Sequence, residues 1–262
     1  MMFRVLTIAG SDSGGGAGIE ADVKTISALG AYACTTITAL TAQNTLGVAG
    51  VHSVPADFVR LSMQTVLADL GADAIKLGML TNADIISAVA DTLPDNIPVV
   101  LDPVMVATSG AVLLPDAAID ILRLRLLPRA SIVTPNLPEA QKLTGLPVGT
   151  EQECIAAGRA LLARGAQAAL IKGGHGEGET LTDYLVTPGG VERISLPRLT
   201  TRNTHGTGCT LASAIATGLA QGMTLPDAVR RARAYLHEAI RTAPGFGAGH
   251  GPVNHLVAPP NR

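Results

Sequence analysis

Residues 4–26 read RVLTIAGSDSGGGAGIEADVKTI, and their pattern decides the fold class. Residues 4–9, with a largely apolar run from Val5 to Ala9, read as a strand covered on both faces, which loses the polar half of the usual alternation. Gly10, Gly14, Gly15, Gly16 and Gly18 then make a turn. Beyond it, Ile19, Val23 and Ile26 return at helical spacing. Strand, glycine turn and helix in that order open an α/β unit.

The alternation continues along the chain. Residues 33–39, 74–77, 99–101, 131–134 and 168–172 read as short strands. Residues 57–70, 83–93 and 151–164 read as helices, with Phe58, Leu61 and Val66 as the core side of the first. Residues 184–186 and 191–194 pair through Pro188, Gly189 and Gly190 as a hairpin. Helices over 207–221 and 225–242 close the pattern. The expectation is one α/β domain over 1–262, with a mainly parallel central sheet and helices on both faces. Ligands of such sheets sit at the carboxyl ends of the strands, so the informative residues belong just after them.

Composition agrees. The 262 residues are 47% hydrophobic, 15% charged and only 2% aromatic. A chain of this mass exposes roughly 11,000 Å² when folded and roughly 39,000 Å² when unfolded. Such a core needs neither disulfides nor a structural metal, and its apolar content excludes disorder. A net charge of −2 argues against nucleic acid as a partner. Residues 25–56 and 206–226 carry no Asp, Glu, Lys or Arg. Both are long enough to span a bilayer, but Gln43, Asn44, His52, Gln221 and several glycines make them protein-buried rather than lipid-buried. The run 5–9 is too short for a signal peptide. Cys34, Cys154 and Cys209 form neither a disulfide framework nor a zinc pattern, so a reduced, cytoplasmic protein without a membrane partner is expected.

Six segments carry candidate chemistry. Residues 9–18, AGSDSGGGAG, suggest a phosphate cradle, although the spacing is neither GxGxxG nor GxxxxGK[ST]; a tight strand-to-helix turn is the structural alternative. Asp22, in the helix that follows, is either a solvated acid or a pocket-facing acceptor. Gln43, in TAQNT (41–45), places an acceptor and a donor side by side, matching an aminopyrimidine edge, or is a satisfied turn amide. Asp102 ends a buried strand in LDPVM (101–105), followed by Ser109 and Gly110, where an acid is costly unless paired or near a metal. Asn136 and Glu139, in TPNLPE (134–139), share a helix face suited to Mg²⁺ and phosphate, or form a capping box. Lys172, before Gly173 and Gly174, suits a phosphate, or is a surface lysine before a turn. In NTHGTGCT (203–210), Gly206, Thr207, Gly208 and Cys209 open an apolar helix as an anion hole. There the helix dipole would lower the Cys209 pKa, unless the thiol is a buried structural one. His175, His205, His250 and His255 lie near glycines and read as loop residues.

Together with KLGML (76–80), KGGH (172–175) and GHGPVNH (249–255), these segments resemble the ribokinase-like superfamily. They are most similar to its hydroxymethylpyrimidine/phosphomethylpyrimidine kinase branch, in order from Leu6 to about His255. The resemblance implies a ribokinase-like fold and a kinase using ATP and Mg²⁺. Its small-molecule substrate would be 4-amino-5-hydroxymethyl-2-methylpyrimidine, then its monophosphate, in thiamine biosynthesis. It implies that Gln43, Gly10, Asp22, Met79 and Val106 bind the pyrimidine. Lys172, Thr207, Asn136 and Glu139 fall on the nucleotide, Asp102 and Glu139 on the metal. Cys209, Gly206, Thr207, Gly208 and Lys172 are the implied catalytic set. The resemblance further implies a homodimer, and residues 175–180 are an expected lid. Sugar kinases of the superfamily carry an Asp base where this chain has Cys209. Pyridoxal kinase is the nearest alternative activity, and a non-catalytic pyrimidine sensor is an alternative of a different class.

Overall fold

The computed structural model describes residues 2–107, 110–175 and 178–258. Ser109 of the Asp102 segment, and residues 176 and 177 of the expected lid, lie outside them. Its accessible surface is 11070 Å², in line with the size expectation.

A nine-stranded sheet runs through the described residues in the order β3-β2-β1-β4-β5-β6-β7-β8-β9. The first strands are β1 (Arg4–Asp12), β2 (Tyr32–Asn44), β3 (Gly47–Ser53) and β4 (Ala74–Leu77). There follow β5 (Val99–Leu101), β6 (Ile132–Val133), β7 (Ala169–Ile171), β8 (Thr180–Thr187) and β9 (Gly190–Pro197). From β2 to β7 the neighbours run parallel, while β3, β8 and β9 are added antiparallel. The parallel core and the 184–194 hairpin are as expected. Strand β3 is not among the expected strands, because Gly47, Ala49 and Gly50 interrupt Val48 and Val51 and leave no period-two alternation.

Helices α2 (Ala56–Asp69), α3 (Ala83–Thr92), α4 (Asp116–Arg125), α5 (Leu137–Thr144) and α6 (Glu151–Ala163) bury one core against the sheet. Helices α1 (Gly18–Ala28), α7 (Thr207–Ala220) and α8 (Leu225–Arg241) bury a second core. The two clusters share out alternate residues of the same strands: Val99 and Leu101 belong to the first, Val100 to the second. On α2 the core side corrects the expectation: Val59 and Met63 are buried, whereas Phe58 and Leu61 are 58% and 56% exposed. The face at i and i+4 from Val59 meets the sheet, and Phe58 and Leu61 sit on the outside of it.

The chargeless segment 206–226 is explained by α7. This helix packs against β1, β4 and β5 as well as α1 and α8, and ten of its fourteen residues are buried. No helix among the described residues is long and apolar enough to cross a membrane.

The order reverses at β1, which has β2 on one side and β4 on the other. A crevice therefore opens beyond the carboxyl ends of the strands. Asp102 follows β5, Asn136 follows β6 and Lys172 follows β7, so three neighbouring strands deliver their end residues to that crevice.

Candidate active site

A cavity of about 570 Å³ occupies the crevice. This is within the ordinary range for a small-molecule site. Its lining includes Gly10, Gln43, Met79, Val106, Asp102, Asn136, Glu139, Lys172 and residues 206–209. Thus twelve of the thirteen residues expected at the site face one cavity.

The exception is Asp22, which is fully buried behind the wall. Its carboxylate meets Lys76 Nζ at 2.8 and 2.9 Å, and Thr7 and Ser213 hydroxyls donate at 2.6 Å each. All its acceptor capacity is directed inward, so the expectation of a pyrimidine contact is corrected to that of an internal counter-ion. Lys76, equally buried, is held charged by it, and its pKa is raised against the pull of burial.

The floor of the cavity is a charged triad. Lys172 Nζ lies 2.9 Å from Asp102 Oδ1 and 4.0 Å from Glu139 Oε2. Burial works against the ammonium, but the two carboxylates outweigh it and raise the Lys172 pKa. Glu139 responds the other way: burial, and secondarily the Asp102 charge, push it up to about 7 against the pull of Lys172. Asn136 and Glu139 form a reciprocal capping box, at 2.9 and 2.8 Å, at the start of α5. Capping and placement in the site are therefore both realised: the cap is what aims Glu139 at Lys172. Among the described residues no cluster of three His, Cys, Asp or Glu can cage a metal alone. Two carboxylates around one ammonium still leave an excess of hard oxygen, which fits a cation that keeps its waters and is completed by phosphate oxygens.

Above the triad, α7 begins. Its first turn bond runs from Thr210 N–H to the Gly206 carbonyl at 2.9 Å, leaving the N–H groups of Gly208 and Cys209 ahead of it for a ligand. Gly206 has φ +81°, and a Cβ there would overlap the Gly16 carbonyl. At Gly208 a Cβ would stand 3.2 Å from Asp102 Oδ2 and 3.4 Å from Lys172 Nζ, in the gap between helix and triad. Glycine at both positions lets the helix start approach the charges.

Cys209 departs from expectation. Desolvation pushes its thiol up to about 11, with Asp22 and Asp102 adding to the rise and Lys76 opposing it. The thiol is therefore neutral at physiological pH, and the helix dipole does not prevail. At pH 8, Cys209 is expected to alkylate with iodoacetamide about a hundredfold more slowly than free cysteine, because its thiolate fraction is that much smaller. Peptide mass spectrometry follows this directly, and labelling of Cys209 at the free-cysteine rate would contradict it.

The glycine turn also differs from a phosphate cradle. The Asp12 carboxylate accepts N–H groups from Gly14, Gly16 and Ala17 at 2.8, 3.0 and 2.8 Å. The loop encloses its own anion, and those donors are not free for a phosphate. Asp12 also contacts His205 Nε2 at 2.7 Å. Neither residue was singled out from the sequence for this role. The Asp-x-Gly spacing of an Asx turn is the available signal for Asp12; nothing local marks His205.

Apolar Leu181, Pro197, Leu199, Leu236 and Ile240 complete part of the lining. An Asp183–Arg233 ion pair at 2.7 Å also lines the cavity.

Against this geometry, the phosphomethylpyrimidine kinase family model matches residues 12–254. The chain belongs to the phosphomethylpyrimidine kinase family. This kinase is 50% identical over 260 residues to the hydroxymethylpyrimidine/phosphomethylpyrimidine kinase of Salmonella typhimurium, covering 97% of this chain and 98% of that one. It is 50% identical over 256 residues to the thiamine biosynthesis bifunctional protein ThiED of Geobacter sulfurreducens, covering 97% of this chain and 52% of that one. The chain thus spans about half the length of the bifunctional relative and nearly all of the other. Among solved structures, pyridoxal kinase from Staphylococcus aureus in complex with ADP is similar with a TM-score of 0.91 and 32% identity. That likeness covers 98% of this chain and 94% of the other. The ribokinase-like α/β fold expected of this kinase is therefore borne out.

Proposed function

We propose that the chain, as a single kinase domain, phosphorylates 4-amino-5-hydroxymethyl-2-methylpyrimidine and then its monophosphate, using ATP and Mg²⁺, in thiamine biosynthesis. The observation that carries this is the placement of Gln43 and the Lys172 triad in one cavity, with the α7 N-terminus beside them. One part suits an aminopyrimidine edge, the other a phosphoryl group in transfer.

The cavity divides naturally. Gly10, Gln43, Met79 and Val106 hold the pyrimidine, with the Gln43 amide set against the ring edge that carries the amino group. The apolar lining at Leu199, Leu236 and Ile240 takes the nucleotide base, leaving its phosphates over the triad. Lys172 and the free N–H groups of Gly208 and Cys209, at the 206–209 helix start, hold the transferring phosphoryl group, with Thr207 and Asn136 on the nucleotide side. Such fixed donors are worth most where charge develops. Asp102 and Glu139 would hold Mg²⁺, which when bound would supply charge neutralisation for the phosphates. Cys209 orients the substrate hydroxyl, whose proton passes to a neighbouring water or phosphate oxygen as the bond to phosphorus forms. A thiol that stays neutral does not take this proton as a preformed thiolate, so positioning carries more of the rate than base strength.

The neutral thiol also explains why Asp is absent. A substrate monophosphate about 4 Å from a carboxylate would be opposed by about 4 kcal/mol per charge pair. Cys209→Asp is expected to depress phosphorylation of the monophosphate at least tenfold more than that of the alcohol, measured as kcat/KM. Equal losses for both substrates would show that charge at this position is not selective.

Pyridoxal is the second reading, supported by the likeness to the Staphylococcus aureus pyridoxal kinase. Gln43 favours the aminopyrimidine, and a non-catalytic sensor would have no use for the triad. Exposed Leu40, Val51, Phe58 and Leu61, at or beside the β2–β3 edge, support a homodimer, and the free cysteines and absence of a spanning helix among the described residues are in keeping with the cytoplasm. Presenting the pyrimidine alcohol, pyridoxal and ribose in parallel with ATP and Mg²⁺ tests the assignment. The alcohol is expected to be consumed fastest, and ADP release with pyridoxal alone would overturn it.

A further inference from the structure

His205 has no part in the mechanism above, yet it is 8% exposed and lies on the cavity wall. Its Nε2 is 2.7 Å from Asp12 Oδ2 and 3.2 Å from the amide end of Gln43. One ring nitrogen offers either a proton or a lone pair, never both. Asp12 already collects three backbone N–H groups, a setting that favours its anion. A bare lone pair facing that anion at 2.7 Å would be repulsive. The proton therefore sits on Nε2 and is donated to Asp12.

That settles the Gln43 amide. A protonated Nε2 cannot accept from an NH₂ group. The amide oxygen must face His205, which a half-turn about the last side-chain torsion achieves without moving the group. The NH₂ end then turns away from His205 and toward the ligand.

The structure assigns to Asp12 and His205, we infer, the role of a positioning pair that locks the Gln43 amide and so makes the site select a ring with an acceptor nitrogen beside its amino group. A 4-oxo ring of the same shape places an N–H where that acceptor would be, and meets the locked NH₂ donor to donor. A freely turning amide would accommodate both rings. The inference deepens the pyrimidine reading and rests on it for the substrate, though not for the tautomer.

The test compares kcat/KM for the 4-amino alcohol and for its 4-oxo analogue. Replacing His205 by Phe unlocks the amide, and the amino-over-oxo ratio is expected to fall at least tenfold. His205→Gln keeps an N–H donor and is expected to hold the ratio within threefold of the native value. In the Gln43→Leu background, His205→Phe is expected to change the ratio less than twofold, because the group it acts through is gone. A ratio that stays constant in His205→Phe while both substrates decline together would overturn the inference, as would a His205→Gln result equal to that of Phe. Nitrogen NMR of the unliganded protein, labelled in histidine, needs no substrate. A protonated His205 Nε2 is expected, and a bare one overturns the inference. If the native enzyme leaves the pyrimidine untouched, the functional reading fails, while the tautomer still decides this one.

Discussion

Lys172→Met is expected to lower kcat by about 10³-fold, at the upper end of what one preorganised donor contributes. Lys172 is placed 2.9 Å from Asp102 and 4.0 Å from Glu139, beside the start of α7. Removing it takes a positive charge from the transferring phosphoryl group and leaves two carboxylates facing the same phosphate. Both effects act on the transition state more than on the bound pyrimidine, so KM for the pyrimidine is expected to change far less than kcat. Lys172→Arg keeps the charge but broadens it into a planar fork. It is expected to recover part of the loss. A kcat within tenfold of native in Lys172→Met would remove the triad from the mechanism.

The second large effect is on stability. Asp22→Asn is expected to destabilise the fold by about 3–5 kcal/mol, because it strands a buried ammonium. Lys76 and Asp22 are both inaccessible, and Asp22 also receives the Thr7 and Ser213 hydroxyls. Equilibrium urea unfolding measures this as a lower midpoint at unchanged slope. Replacing both partners by apolar residues, Asp22→Leu with Lys76→Met, is expected to recover much of the loss, since paired removal leaves no uncompensated charge. A shift below about 1 kcal/mol for Asp22→Asn would mean that water reaches the pair, against the burial seen here.

The contrast between these two acids shows what the sequence can carry. Asp102, Asn136 and Lys172 are legible because each directly follows a short apolar run, and strand ends are where a parallel sheet builds sites. Asp22 sits inside a helix, and its partner is 54 residues away; no local pattern tells an internal counter-ion from a pocket-facing acid. The glycine turn is equally ambiguous. Glycines announce N–H groups bent toward an anion, but the spacing does not reveal that the anion is Asp12 of the same loop. Cys209 lines the cavity, as its motif leads one to expect, whereas its pKa depends on burial beside Asp22 and Asp102, which is a tertiary property. Phe58 and Leu61 were drawn into the core by hydrophobicity, although the spacing of Val59 and Met63 serves the sheet better. His205 reads as a loop residue because Gly206 and Gly208 follow it; only the approach of Asp12 and Gln43 gives it a role.

The central claim is that one cavity carries out two successive phosphorylations, with a neutral thiol where a charged base would repel the second substrate. Phosphorus NMR of the purified protein with ATP, Mg²⁺ and the pyrimidine monophosphate tests it most directly. The account predicts that the monophosphate signal gives way to a diphosphate pair as ADP accumulates. An enzyme that phosphorylates the alcohol but leaves the monophosphate signal unchanged would contradict it.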